Sequence, residues 1–124
     1  MESTPRKLTT LQIAMLIRVL REFPDQRVDL CFLSSANDAL SYAQDFLTVF
    51  KAISWRVNDG APVEVVNGQA KGLALVVSGP SRLPPSAEAL RDTLRIYGIE
   101  VATFCDPACN TEPGGFMLII GPPE

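Results

Sequence analysis

The sequence predicts an α/β domain built as a three-layer sandwich. Its sheet would have four or five mostly parallel strands, helices on both faces and a C-terminal antiparallel strand. The length of 124 residues fits one domain. Hydrophobic residues make up 47% of the chain, which is typical of a globular protein. Short apolar runs alternate with helical patterns, and this alternation is typical of parallel sheets with right-handed crossovers.

The first element is predicted to be a helix. Residues 1–7 are polar and contain a proline, so we expect a flexible tail or linker stub before a single domain at 8–124. Thr9 or Thr10 can cap a helix that runs to about Arg21 and stops before Pro24. Its apolar residues spread over most of the helix, so we expect burial on most sides. Either core packing or self-association with a second copy would provide it.

A strand and a second helix follow. Residues 28–33 are rich in strand formers and suit a strand covered on both faces. In the next segment five apolar residues recur at helical spacing, which predicts that they share one buried face: Leu40, Ala43, Leu47, Phe50 and Ile53. Residues 55–57 predict a second strand, and residues 63–66 extend the sheet or form an edge hairpin.

The second half repeats the alternation. Residues 72–78 are the most apolar run and predict a central strand. Pro84 and Pro85 suit a helix start, and Gly98 suits its C-terminal cap. Residues 101–104 and 116–120 predict the last two strands. Since the loop between them is too short for a crossover helix, we expect these two strands to pair antiparallel.

Composition and missing motifs exclude several classes of protein. The net charge of −3 and scattered basic residues disfavour a nucleic-acid binder. The sequence has no histidine, which removes histidine-based catalytic triads. Glycine-rich nucleotide motifs and the nucleophile elbow are absent, so we predict no cofactor.

The three cysteines do not predict a metal site. Cys105 and Cys109 have a Cys-x-x-x-Cys spacing, but zinc prefers four ligands and Cys31 is expected in a buried strand. Free thiols are expected, with a Cys105–Cys109 disulfide as the alternative under oxidising conditions. An odd cysteine count favours a reducing compartment, and no segment resembles a signal peptide or membrane span. We therefore expect a cytoplasmic protein.

Two loops are candidate ligand sites. In α/β sheets, ligands bind beyond the carboxyl ends of the strands, and we expect both loops at that edge. Their hydroxyls and the nearby helix amides suit an anion or a sugar phosphate, although helix capping explains the same residue types. The candidate ligand-binding residues are Ser34, Ser35, Asn37 and Asp38 in the first loop and Ser78, Gly79, Ser81 and Arg82 in the second.

Glu88 and Asp38 are the candidate catalytic residues. Each could act as a carboxylate in acid/base work, although Glu88 also lies where a helix dipole favours a negative charge. Trp55 could anchor a partner, with core packing as the alternative. Sequence alone gives no separation between the carboxylates.

Two resemblances add expectations. The segments 8–14, 38–46 and 55–57 and the final strand resemble a soluble domain of uncharacterised bacterial proteins, which often follows transmembrane helices. That resemblance implies a fold and a membrane-tethered parent protein. Residues 28–38 and 55–59 are similar to the opening of Toll/interleukin-receptor-like domains, some of which hydrolyse NAD with a glutamate. Glu88 is the nearest carboxylate, without the Trp-Cys-x-x-Glu context of that family.

These observations favour a non-enzymatic binding or sensing module. The expected partners are a protein or a small anionic ligand, and a second copy bound through the first helix. The alternative is a nucleotide- or NAD-directed hydrolase of a glycosidic bond. That alternative requires both loops and a carboxylate to line one pocket. A third hypothesis is a protein-binding adaptor that uses an edge strand.

Overall fold

The computed structural model is an α/β fold with a mixed, mostly parallel sheet. It describes residues 7–24, 26–33, 38–57, 62–65, 72–77, 84–105 and 115–122. The elements in chain order are α1 (Thr10–Leu20), β1 (Arg27–Leu33), α2 (Ala39–Ala52), β2 (Arg56–Val57), β3 (Val63–Val65), β4 (Leu73–Val77), α3 (Pro85–Ile96), β5 (Val101–Cys105) and β6 (Phe116–Ile120). Within the described residues, no helix is long and apolar enough to cross a membrane.

The sheet has the strand order β2-β1-β6-β4-β5, and β3 also pairs with β1. Strand β1 is parallel to β2, β3 and β6, and β4 is parallel to β5. The antiparallel pair joins β4 to β6. Among the described residues six strands form the sheet, more than the four or five predicted, because residues 56–57 and 63–65 make separate short pairings with β1.

The predicted pairing of the last two strands is wrong. Strand β6 lies between β1 and β4, and β4 separates it from β5. Its helix-facing side chains Phe116, Leu118 and Ile120 are fully buried. Such an apolar strand is stabilised more by an internal position than by an edge position. Neighbouring strands of a sheet lie about 4.8 Å apart. Ten residues, 106–115, are therefore enough to connect β5 to β6 past the intervening strand β4.

Two βαβ units build the sheet. Strand β1, helix α2 and β2 form the first unit, and β4, α3 and β5 form the second; in each unit the two strands are parallel neighbours. Because β4 is antiparallel to β6 and β6 is parallel to β1, the two units run in opposite directions. The chain thus contains the predicted crossovers in a sheet of mixed direction.

The core lies between the sheet and the helices. Alternate residues of β1, β4 and β6 share one hydrophobic cluster with residues of all three helices. Helix α1 contacts both α2 and α3, whereas α2 contacts β1, β2 and β6 and α3 contacts β5. The three described helices thus cover one face of the sheet, and the second helical layer of the predicted sandwich is not among the described residues.

Helix α1 is less buried than the sequence predicts. Thr9 is its N-cap, and the Thr9 and Gln12 side chains each accept a hydrogen bond from the other residue's backbone N–H. Leu16 and Leu20 are fully buried, whereas Leu11 is 66% exposed. The expectation of burial on most sides is met only in part, because Ile13, Ile17 and Val19 are partly buried against the core while Leu11 and Ala14 are exposed.

The buried face of α2 is rotated from the predicted one. Of the predicted stripe, Ala43 and Phe50 are buried, Leu40 is exposed, and Leu47 and Ile53 are partly buried. The core instead receives Ala39, Tyr42, Ala43, Phe46, Val49 and Phe50. Aromatic rings bury more area than leucine, so the tyrosine and phenylalanines determine which side of the helix faces the sheet.

Candidate functional site

The two predicted ligand loops follow strands that end at opposite ends of the sheet. Strand β1 ends at Leu33. The residue before it, Phe32, is paired with Ile120 of β6, which in turn is paired with Leu73, the first residue of β4. Strand β4 ends at Val77, on the side where β1 begins. About five residues at 3.3 Å each separate these strand ends, or roughly 16 Å. The expectation that both loops share one edge is wrong, because β4 is antiparallel to β6.

Most of the predicted ligand residues lie outside the described residues: Ser34, Ser35, Asn37, Ser78, Gly79, Ser81 and Arg82. Their roles stay predictions. The turn predicted at 58–60 and the residue Cys109 also fall outside the described residues.

Asp38 and Glu88 begin helices at opposite ends of the molecule. Asp38 precedes α2 at the Leu33 end of the sheet, and its side chain makes no capping hydrogen bond. Glu88 lies in the first turn of α3, at the Val77 end, and is exposed. The Ser86 hydroxyl fixes that helix start, because it donates a 2.7 Å hydrogen bond to Gln26 Oε1 beside the first residue of β1. The two candidate carboxylates therefore do not form a pair.

The other described carboxylates have separate positions. Asp29 lies on the sheet face away from the helices, with its Oδ1 3.5 Å from Arg27 Nε. Asp45 Oδ2 accepts a 2.9 Å hydrogen bond from the Leu8 backbone amide, which ties the start of α1 to α2. Glu64 is exposed on β3. No group of three or more histidine, cysteine or acidic side chains suited to a metal occurs in the part of the chain that the structure describes.

Trp55 is a core residue. Its ring is stacked on Phe50 with centroids 5.3 Å apart, and it meets Phe116 edge-on at 6.1 Å. Trp55 Nε1 donates a 2.8 Å hydrogen bond to the Phe23 carbonyl oxygen. This indole is 4% exposed, so the core alternative is confirmed. Cys31 is likewise buried, as predicted.

Of the described strands, β5 has the most exposed residues. We call the outer surface of this strand, formed by Val101–Cys105, the β5 edge. Val101 is buried, but the four residues after it are all exposed, and Phe104 is 54% exposed. Within the described residues, β5 pairs with β4 and no other strand. The strand contains neither a charged residue nor a proline.

The opposite edge of the sheet has a different character. It is shared by β2, which has two residues, and β3, which has three. Arg56 and Glu64 place exposed charged side chains on these strands. Short strands and charges are the usual protection of a sheet edge against strand addition. The β5 edge lacks both devices.

Helix α3, which contacts β5, carries a stripe of charged residues. Glu88, Arg91 and Arg95 recur at steps of three and four, so they form one stripe along the helix. Glu88 and Arg95 are exposed, and Arg91 Nε lies 3.1 Å from Asp92 Oδ1. Ile96, at the end of the helix, is 79% exposed. An exposed strand is thus preceded in the sheet's second βαβ unit by a helix surface that carries both signs of charge.

The sequence indicated β5 as a strand but not as an exposed edge. The predicted pairing with residues 116–120 would have covered one side of it. The signal that could have corrected this is the composition of the two segments. Phe-Met-Leu-Ile-Ile at 116–120 is apolar throughout, whereas residues 101–105 include a threonine and an alanine. The more apolar strand takes the internal position.

No family model, no curated protein and no solved structure matches this chain.

Proposed function

We propose that this chain is a non-enzymatic binding module that docks an extended protein segment along the β5 edge. The observation that carries the proposal is the run of four exposed residues in a five-residue edge strand that has no charge and no proline. An unprotected edge presents backbone N–H and C=O groups in the spacing of a sheet. A segment in β conformation can pair with them.

The side chains of β5 indicate the chemistry of the docked segment. Ala102 and Phe104 lie on the sheet face away from the helices, and Thr103 lies on the helix-facing side. A small and a large apolar residue therefore alternate with a hydroxyl. Such a strand pairs best with a segment that has apolar or β-branched residues at alternate positions.

The enzyme alternative has less support in the fold. It combines the two loops with Glu88 or Asp38, and these carboxylates begin helices at opposite ends of the sheet. The binding-module proposal needs no such convergence. Small anionic ligands at either loop remain separate predictions, each with its own end of the sheet.

Selection of peptides on the immobilised chain tests the proposal. A phage-displayed library of 12-residue peptides is the probe, and Phe104→Lys is the test variant. Val63→Lys is the matched control, because Val63 is also an apolar edge residue and is 48% exposed. We expect selected peptides with alternating apolar residues that bind the wild type and Val63→Lys, and bind Phe104→Lys at least about tenfold more weakly.

Three outcomes would overturn the proposal. The first is equal binding of the selected peptides to Phe104→Lys, and the second is failure of the library to yield any binder. The third is turnover: if mass spectrometry shows cleavage of NAD by the wild type and none by Glu88→Gln, the hydrolase alternative is correct.

A further inference from the structure

We infer that the segment docked on the β5 edge is β5 of a second copy of this chain, paired antiparallel about a two-fold axis. This inference rests on the proposed function, since it names the partner of the same edge. It would join two sheets into one continuous sheet with all helices on one side. Three independent features of β5 and α3 support it.

The first feature is the strand itself. Antiparallel pairing about its central residue places Thr103 opposite Thr103 of the second copy, and Ala102 opposite Phe104 of the second copy. The threonine pair favours a sheet through cross-strand contact, and the small residue leaves room for the ring. All three residues are exposed in the single chain. An isologous contact of this kind is the commonest symmetry of soluble oligomers.

The second feature is the charge order of α3. Glu88 lies near the start of the helix and Arg95 near its end, and both are exposed. A two-fold axis makes the two α3 helices antiparallel. Glu88 of each copy then lies next to Arg95 of the other, which gives two symmetric ion pairs. Helices over adjacent strands lie about 10 Å apart, within reach of these long side chains.

The third feature is that one axis serves both elements. Helix α3 ends at Ile96 and β5 begins at Val101, at the same end of the sheet. The midpoint between Glu88 and Arg95 lies about 7 Å from Ile96 along the helix axis, at 1.5 Å per residue. Thr103 lies about 7 Å along the strand, at 3.3 Å per residue. The two midpoints thus lie equally far from the neighbouring ends of α3 and β5, as a single two-fold axis requires.

Helix α1 is the other surface predicted to bind a second copy, but it has little exposed apolar surface available for such a contact. It already contacts α2 and α3. Its outward side presents Leu11, which is 66% exposed, next to the short side chain of Ala14. A substitution at Leu11 therefore serves as the matched control for one at β5.

Sedimentation equilibrium over a range of micromolar concentrations tests the inference. We expect the wild type to approach twice the mass of the chain. Thr103→Lys and Thr103→Glu should each raise the dimer dissociation constant at least about tenfold, because each places like charges opposite one another. An equimolar mixture of the two variants should restore the dimer, since the opposing charges then attract. Circular dichroism of each variant, compared with the wild type, checks that both remain folded.

The charge exchange on α3 tests the register. Glu88→Arg should weaken the dimer, and the double variant Glu88→Arg with Arg95→Glu should recover the wild-type affinity. A monomer at all concentrations overturns the inference, as does loss of the dimer in Leu11→Lys with no effect of Thr103→Lys. If the chain is monomeric while selected peptides still require Phe104, the self-pairing fails and the proposed docking edge survives.

Discussion

The two βαβ units have the same topology and differ in the side chains that form their cores. In both, parallel neighbouring strands are connected by a helix on the same face of the sheet. Both helices end in the same motif, in which a residue with positive φ is followed by a backbone hydrogen bond to the carbonyl five residues back. That residue is Ser54 after α2 and Gly98 after α3.

The first unit is filled by aromatic rings. Contacts run from Tyr42 through Phe46 and Phe50 to Trp55, with centroid distances between 5.2 and 6.4 Å. Its second strand has two residues, and the buried Trp55 precedes it.

The second unit is filled by aliphatic side chains. The buried apolar residues of α3 are Ala87, Leu90 and Leu94. Its second strand has five residues and an exposed outer edge. One unit thus supplies most of the aromatic core, whereas the outer strand of the other is mostly exposed.

The largest expected effect separates the two cores. Phe50→Ala should lower the free energy of unfolding by about 3–5 kcal/mol, because it opens a cavity and removes ring contacts on both sides. Leu94→Ala is the matched change in the second unit and should cost less, about 2–4 kcal/mol. Urea denaturation measures both. Equal losses would mean that the ring contacts add nothing beyond buried volume.

The hydrogen bond of Trp55 gives the next effect. Trp55→Phe keeps an aromatic ring against Phe50 but leaves the Phe23 carbonyl without its indole donor. We expect a loss of about 1–3 kcal/mol in the free energy of unfolding. The substitution removes the one tryptophan of the chain and therefore its fluorescence signal. Thermal and urea unfolding are for this reason followed by circular dichroism. A loss below about 0.5 kcal/mol would show that water replaces the donor.

Local features of the sequence predicted much of the fold. The apolar runs became strands, the Gly98 cap is confirmed, and Cys31 and Trp55 lie in the core. These features depend on residues close in the chain or on strong burial preferences. The position of β6 could not be predicted in the same way. Strand β6 could pair with β1, β4 or β5, and which of them it pairs with depends on packing across the whole sheet.

The candidate site was harder to predict for a related reason. The prediction that the two loops share one edge assumes that β1 and β4 are parallel. One antiparallel pair, β4 with β6, puts the ends of β1 and β4 on opposite sides. Nothing near residues 34–38 or 78–82 encodes that distant pairing. The exposure of Phe104 depends on the same choice, because it follows from β5 being at the edge.

A smaller effect on stability is expected at the ends of α2 and α3, where the residue with positive φ is a serine in one unit and a glycine in the other. Gly98 has a φ of +76°, and a Cβ built on it meets no atom within 4 Å. Gly98→Ser therefore tests the backbone alone. It should cost about 1 kcal/mol, since an L-residue in the left-handed region is strained by about 1–2 kcal/mol and serine also restricts the unfolded chain. An unchanged urea midpoint would show that the α3 end tolerates a side chain.

The reverse change should stabilise the first unit. Ser54 has a φ of +62° and donates its backbone N–H to the Lys51 carbonyl, while the Trp55 N–H bonds to the Phe50 carbonyl. Ser54→Gly relieves the strain but gives the unfolded chain more freedom, so the net gain should be about 0.5 kcal/mol. The urea midpoint of Ser54→Gly should rise and that of Ser54→Ala should not, because alanine keeps the Cβ. A rise for both would mean that the serine hydroxyl, rather than the backbone conformation, limits the stability of this helix end.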